Sequence, residues 1–316
     1  MIHAYAIEPQ VVVGWSEPRS YRFVWDKFGI GTPRVLLEFP VARWQDEVMT
    51  VAAREGLSEL RWKRLDELLL VLRKGKVRRP GQAYDDAVSW LENAEVEHDR
   101  RRFLVIPHPF AAIVAMANPR GHSAVIAEAN LGRANDPRWA VATAATPSRE
   151  AHALASAVAA MLHNCTELHI VDPHFGPENR RHRVVLETLS QVAASSAGRS
   201  LKVTVHCSNK STLGFFEEKA AEIAQRLPTG VTVFFKRWAE RDGGERFHNR
   251  YLLTDIGGVT FGGGLDEAPP RQRASQTEDI NLMDKSQYER RWRQFAGGRV
   301  QLALIDQPKS IRGQGV

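Results

Sequence analysis

The chain has 316 residues, 43% hydrophobic and 25% charged, with two cysteines and a formal net charge of +6. That length builds one large domain or two modest ones with a sizeable core, and Cys165 and Cys207 are too few for a disulfide scaffold. "MIHAYAIEPQ" has no basic stretch followed by a long apolar run, and "AHALASAVAAMLHNC" is too short and too rich in Ala and His to span a bilayer, so a cytoplasmic location is expected.

In chain order, the first hundred residues read as mainly helical after a short extended start, "AYAIEPQVVVGW". "LSELRWKRLDELLLVLRKG" sets Leu57, Leu60, Leu65, Leu68, Leu69 and Leu72 on one stripe, with Gly75 just past its end. "YDDAVSWLENAEVEH" is a further helix. "RRFLVIPHPFAAIVAMANPRGHSAVIAEANLG" holds two extended runs separated by Asn118-Pro-Arg-Gly121, which predicts a hairpin.

From about Arg138 the pattern becomes regular. Strands are predicted at "RWAVATAA", "ELHIVDPHF", "LKVTVHC" and "GVTVFFKRW", alternating with helices at "SREAHALASAVAAMLHN" (Ser148 as N-cap), "ENRRHRVVLETLSQVAAS" and "STLGFFEEKAAEIAQRL". Such alternation predicts an α/β domain with a mostly parallel sheet covered on both faces. "RFHNRYLLTD" and "VTFGGG", joined by Ile256-Gly-Gly258, then read as a closing hairpin. A boundary between residues 98 and 138 follows, giving an N-terminal region of residues 1–137 and a second domain of residues 138–316.

Arginine supplies most of the basic excess, in "KGKVRR", "DRRRF", "NRRHR" and "ERRWRQF". Its planar fork donates two parallel hydrogen bonds to phosphate, so a polyanionic partner is expected. His98, His108, His122, His152, His163, His169 and His182 sit in no ligand-like spacing, so neither a metal nor a cofactor is expected.

The run "FHNRYLLTD" carries three ionisable residues. Alternation along a strand places His248 and Arg250 on one face and Asp255 on the other. An imidazole beside a guanidinium is costly in a core but suits a phosphate site, where Arg binds the non-bridging oxygens and His attacks phosphorus. Asp255 is expected to pin the hairpin turn. His174 and His206 fall at the carboxyl ends of predicted strands, with Ser208, Asn209 and Lys210, where crevice residues of a parallel sheet gather. For each histidine, a hydrogen bond to backbone is the competing reading.

His248-Asn-Arg250-Tyr-Leu-Leu-Thr-Asp255 followed by "GGVTFGGGLD" resembles the phospholipase D superfamily signature, His-x-Lys, four residues, Asp, then a glycine-containing second strand. "IVDPHF" looks like the corresponding strand of single-motif members, and the resemblance spans roughly residues 138–298. It implies a phospholipase D-like mixed sheet flanked by helices and a metal-independent two-step cleavage of a phosphodiester through a phosphohistidine. It also implies a homodimer whose two His248 residues act as nucleophile and general acid. Catalytic roles carry over to His248, Arg250, Asp255 and Glu278 (the acid that braces the histidine). Substrate contacts carry over to Gly263, Gly264 and Asp266, with His174, His206, Asn209 and Lys210 as further candidates. Three positions depart from the family: Arg250 stands for Lys, Gly264 for Ser and Asp266 for Asn.

Soluble single-motif relatives include bacterial nucleases and phage-defence components. A cytoplasmic nuclease acting on DNA rather than RNA, with partner proteins of a defence complex, is therefore the leading expectation. A catalytically degenerate nucleic-acid-binding or scaffold subunit is the alternative. A lipid-acting enzyme ranks below both, because the Leu stripe after Leu57 suits a core better than a membrane interface.

Overall fold

The structure is a computed structural model that describes residues 1–102, 110–131, 136–195, 200–273 and 275–315. The chain divides into two compact units, one of residues 2–142 and the other of residues 143–316 with Met1. Among the described residues, no helix is long and apolar enough to cross a membrane.

The first unit contains β1 (His3–Ile7), α1 (Pro9–Gly14), α2 (Pro18–Trp25), β2 (Arg34–Leu37), α3 (Trp44–Glu55), α4 (Glu59–Arg73), α5 (Trp90–Arg102), β3 (Ala112–Ala115) and β4 (Val125–Ala127). The region is mainly helical as expected, but the expected hairpin needs correcting. Four strands form a sheet in the order β2-β1-β3-β4, and each neighbouring pair is parallel. β2 and β3 are buried at every residue, so they show no polar alternation to mark them as strands. The loop after Asn118 is compact: Asn118 Oδ1 accepts from His122 N at 2.8 Å, and its Nδ2 donates to Val125 O at 3.3 Å. It nevertheless returns the chain so that β4 runs alongside β3 in the same direction. Residues 103–109 of the predicted hairpin, including His108, lie outside the described residues.

The apolar centre of this unit gathers Tyr5, Trp15, Phe28, Trp44 and Trp139 with one face of α4. Leu65, Leu68, Leu69 and Leu72 are buried there, but Leu60 is 56% exposed. Leu60 lies five residues before Leu65, well off the 3.6-residue stripe that the other four share.

The second unit is mixed α/β. It contains β5 (Ala144–Ala145), α6 (Ala151–Leu162), β6 (Glu167–Val171), α7 (Arg180–Ala194), β7 (Leu201–Ser208), α8 (Leu213–Ile223), β8 (Val231–Ala239), β9 (Arg250–Thr254), β10 (Gly257–Phe261), β11 (Ile280–Leu282), α9 (Lys285–Phe295), β12 (Ala303–Leu304) and β13 (Lys309–Arg312). A nine-stranded sheet runs β12-β8-β7-β6-β9-β10-β11-β5, with β13 also on β8. β6, β7 and β8 are parallel, as the βαβ alternation requires, and β9 joins β6 antiparallel. Phe216 of α8 packs on Phe235 of β8, while Phe295 of α9 meets His206 and Tyr251 on the opposite face.

Local expectations shift in three places. The strand predicted at residues 138–145 shrinks to Ala144–Ala145. Glu150, without a side-chain cap bond, precedes α6, because the backbone of Ser148 is bridged to Thr277. The β9–β10 turn falls at Asp255-Ile256, with Gly257 paired to Thr254 inside the ladder.

Candidate active site

The carboxyl ends of β6, β7 and β10 and the amino ends of β9 and β11 all lie at one end of the sheet. There the pairing of Val171 with Tyr251 is the last rung between β6 and β9, so the next residues, Asp172 and Arg250, meet across the ladder end. Arg250 Nε stands 3.9 Å from Asp172 Oδ1. Asp172 is 1% exposed and accepts from His174 N at 2.8 Å and Leu265 N at 3.0 Å. One buried carboxylate thereby fixes the loop after β6, the loop after β10 and the arginine between them. Arg250 Nε is buried and has no hydrogen-bond partner among the described residues, so that donor is not used within the site.

The Gly262–Gly264 run passes close over Glu278. Glu278 is 1% exposed and Oε1 accepts from Gly263 N at 2.6 Å, while Oε2 lies 3.7 Å from Arg149 Nε. A Cβ on Gly263 would sit 2.7 Å from Glu278 Oε2, so any larger residue would displace the Glu278 carboxylate. Gly264 has φ +149°, which disfavours a side chain such as serine at this position, and a Cβ there would come within 3.2 Å of Asp266 Oδ1. Burial pushes the Glu278 carboxyl above its ordinary value, opposed by the Gly263 N–H and the Arg149 guanidinium.

Asp266 is held by two guanidiniums, Arg149 through Oδ1 and Arg181 through Oδ2. Its negative charge is therefore offset inside the protein, which answers the concern an Asp at this position raises for a phosphate ligand.

His248 departs from expectation. β9 begins at Arg250, so His248 lies in the preceding loop, exposed, and the alternation of a strand does not set its direction. The ladder stops there because β10 pairs only as far as Arg250 and β6 only as far as Tyr251. Nor does Glu278 brace it: Glu278 hydrogen-bonds the glycine run instead. His174 lies within electrostatic range of Arg250 and His248. Partial burial first, and then the Lys210 ammonium, hold the His174 imidazole below its ordinary value. Lys210 Nζ donates to His174 Nδ1 at 2.5 Å, leaving the other ring nitrogen for a ligand. Asn209 is exposed beside Lys210 at the end of β7.

Asp255 is remote from this crevice. It accepts from Thr166 N at 2.9 Å and Thr166 Oγ1 at 2.7 Å, tying the β9–β10 turn to the start of β6.

His206 is also removed from the site, a correction with a plain geometric cause. It pairs in register with Val171, beside Tyr251, whereas Arg250 and Leu252 point to the other face of the sheet. Fully buried, it belongs to a one-directional chain. Trp238 Nε1 donates to His206 Nδ1 at 3.2 Å, which leaves His206 Nε2–H facing His169 Nδ1 at 3.0 Å and His169 Nε2–H facing Glu167 Oε1 at 3.1 Å. Both imidazoles are satisfied as neutral rings, and added protons would oppose a neighbouring N–H. Burial holds His206 well below its ordinary value. A histidine depressed in the folded state contributes stability that is complete above about pH 6.5 and is lost as the pH falls below it, at up to about 1.4 kcal/mol per pH unit. In urea unfolding between about pH 7.5 and 5.5, wild type is expected to lose more stability than His206→Gln, which has no titrating ring. An equal loss in both would remove His206 as the cause.

Sequence reasoning missed Asp172, Arg149, Arg181 and His182. Asp172 was visible only as the polar residue before Pro173 in "IVDPHF", and Arg181 was hidden in an arginine cluster. His182 is 6% exposed and accepts from Gly176 N at 3.3 Å, under the loop that carries Asp172. Elsewhere, His98, Asp99 and His122 come together although their spacing gave no sign of it. Ala124 N donates to His122 Nδ1, so His122 Nε2 carries the proton and faces Asp99 Oδ2 at 3.3 Å as a hydrogen bond.

No family model matches the chain, and no curated protein matches it. Among solved structures, similarity is found to TrmBL2, described as an archaeal chromatin protein that shows a novel mode of DNA binding. That similarity has a TM-score of 0.30 and 9% identity, over 54% of this chain and 56% of that one.

Proposed function

We propose that the second unit is a phospholipase D-like phosphodiesterase that cleaves nucleic acid, DNA in preference to RNA, in the cytoplasm and without a metal. The observation that carries this reading is the meeting of Arg250, Asp172, the Gly262–Gly264 run, Glu278, and the Asp266 pair with Arg149 and Arg181 at one sheet end, beside His248 and His174. In the proposed cycle the phosphate oxygens are held by Arg250, whose Nε has no hydrogen-bond partner among the described residues. A ring nitrogen of His248 attacks phosphorus and displaces the leaving oxygen, which takes a proton from the partner subunit's His248 in a homodimer. Water activated by that second histidine then attacks the phosphohistidine, releasing a phosphate monoester and restoring both rings. A role in phage defence, with partner proteins, belongs to this proposal by analogy with single-motif relatives.

A second reading, a nucleic-acid-binding subunit without turnover, is favoured by one observation: Glu278 is engaged by Gly263 and Arg149 instead of His248. Cleavage of labelled single- and double-stranded DNA and RNA in excess EDTA separates the two. Cleavage, with a nucleotide covalently retained on protein denatured in detergent at alkaline pH, is the expected result. Binding without cleavage on any of these substrates would favour the second reading.

A further inference from the structure

The four arginine clusters of the sequence are not equivalent once folded. Lys76 and Arg78 of the first pair with Glu38, Arg100 and Arg101 of the second with Glu97, and Arg181 of the third with Asp266. The fourth, on α9, is different. Arg291 is committed to Glu245 at 2.6 Å, but Arg290 and Arg293 are exposed and form no ion pair among the described residues. Arg299, beyond the end of α9, is likewise exposed and unpaired among the described residues.

These three guanidiniums line a cavity of about 190 Å³, together with Glu245, Gln294 and Gln301. Its carboxylate, Glu245, is occupied by Arg291 and by Gln294 Nε2 at 2.8 Å. The cavity shares Glu245 and Gln294 with a small neighbouring pocket of about 10 Å³ lined by Phe247, His248 and Asn249. Three exposed arginines without an ion pair among the described residues, Arg293 donating only Nε to Glu289 O, thus lie next to the loop that holds His248. Successive cations along a groove match the regular negative charges of a sugar–phosphate backbone, and Arg is the side chain best suited to phosphate oxygens.

We propose that this groove binds the backbone of a nucleic-acid strand on its way to His248, with Arg290, Arg293 and Arg299 each engaging a phosphate. The proposal rests on the phosphodiesterase reading for its direction, since His248 is taken as the reacting group.

The test measures binding of a fluorescent oligonucleotide, single-stranded and as a duplex, to the full chain between about 50 and 200 mM salt. Wild type is compared with R290Q/R293Q/R299Q and with R19Q/R54Q/R73Q, which removes equal charge from exposed positions in residues 2–142. An unchanged urea midpoint is expected, because all three groove arginines are exposed; the binding comparison is made at equal folded concentration. The groove variant is expected to bind on the order of tenfold more weakly or worse, with a log–log salt slope shallower by about 2 for a single strand or about 3 for a duplex. Losses confined to one oligonucleotide identify which strand form the groove takes. An unchanged slope, an equal loss in the control triple, or no binding by wild type would overturn the groove. The parent reading is judged separately, on hydrolysis of bis(p-nitrophenyl) phosphate by wild type and His248→Ala. Such a small diester does not reach the arginine strip.

Discussion

His248→Ala is expected to lower phosphodiester cleavage about 10⁴-fold or more, because in the proposed dimer one substitution removes both nucleophile and general acid. Since His248 is exposed and its ring makes no hydrogen bond to the described residues, stability is expected to change by less than about 0.5 kcal/mol. The pairing of a large kinetic effect with a silent unfolding curve distinguishes a reacting group from a structural one. Arg250→Ala gives the complementary result, a loss of about 10²–10³-fold from removing one preorganised cation at the developing charge. Arg250→Lys is expected to recover part of this, since the charge returns without the fork. The measurement is the initial rate on bis(p-nitrophenyl) phosphate at equal folded concentrations. Retention by His248→Ala of more than about a tenth of the wild-type rate would remove His248 from the chemistry.

Asp172→Ala is expected to be the most destabilising substitution in the site, by about 3–5 kcal/mol. The carboxylate is almost completely buried and accepts from two backbone N–H groups while facing Arg250. Its removal orphans both N–H groups and leaves the Arg250 guanidinium, 16% exposed, without its nearest counter-charge. Asp172→Asn keeps an acceptor but loses the charge, so a smaller cost of about 1–2 kcal/mol is expected. Urea unfolding of the three proteins checks this. An Asp172→Ala midpoint within experimental error of wild type would mean that the β6 and β10 loops are held by other contacts. The same substitution is expected to lower activity even where the protein stays folded, because Arg250 would no longer be aimed.

Much of the second unit was legible in the sequence because its signals are local. β6, α7, β7, α8 and β8 each announce themselves by an apolar run or an amphipathic stripe of ordinary length, and their alternation dictates parallel neighbours. The first unit was legible only in part: β1, α4, α5 and the runs of β3 and β4 were marked, but β2 and the parallel pairing were not. Its strands are four or five residues long at most and buried on both faces, so they carry neither the period of a half-exposed strand nor the length of a buried helix. The turn chemistry around Asn118 was recognisable, but a tight turn does not specify that the next strand runs antiparallel.

Within the site the division is similar. Residue type and spacing marked His248 and Arg250, because these are poor choices for a strand or a core, and the resemblance to the phospholipase D signature added the glycine run and Glu278. Whether a strand reaches back to His248 depends on where its neighbours end, and those lie in segments distant along the chain. Which face His206 takes depends on the register of β7 against β6, and a single step of register exchanges the two faces. The sequence by itself therefore singled out His248 and Arg250 and determined the α/β class of the domain that carries them. Only the tertiary structure decided that Asp172 aims Arg250, that Asp266 is neutralised by Arg149 and Arg181, and that Arg291 of α9 takes Glu245 while Arg290 and Arg293 form no ion pair among the described residues, because each depends on which distant carboxylate the fold brings within reach of which guanidinium.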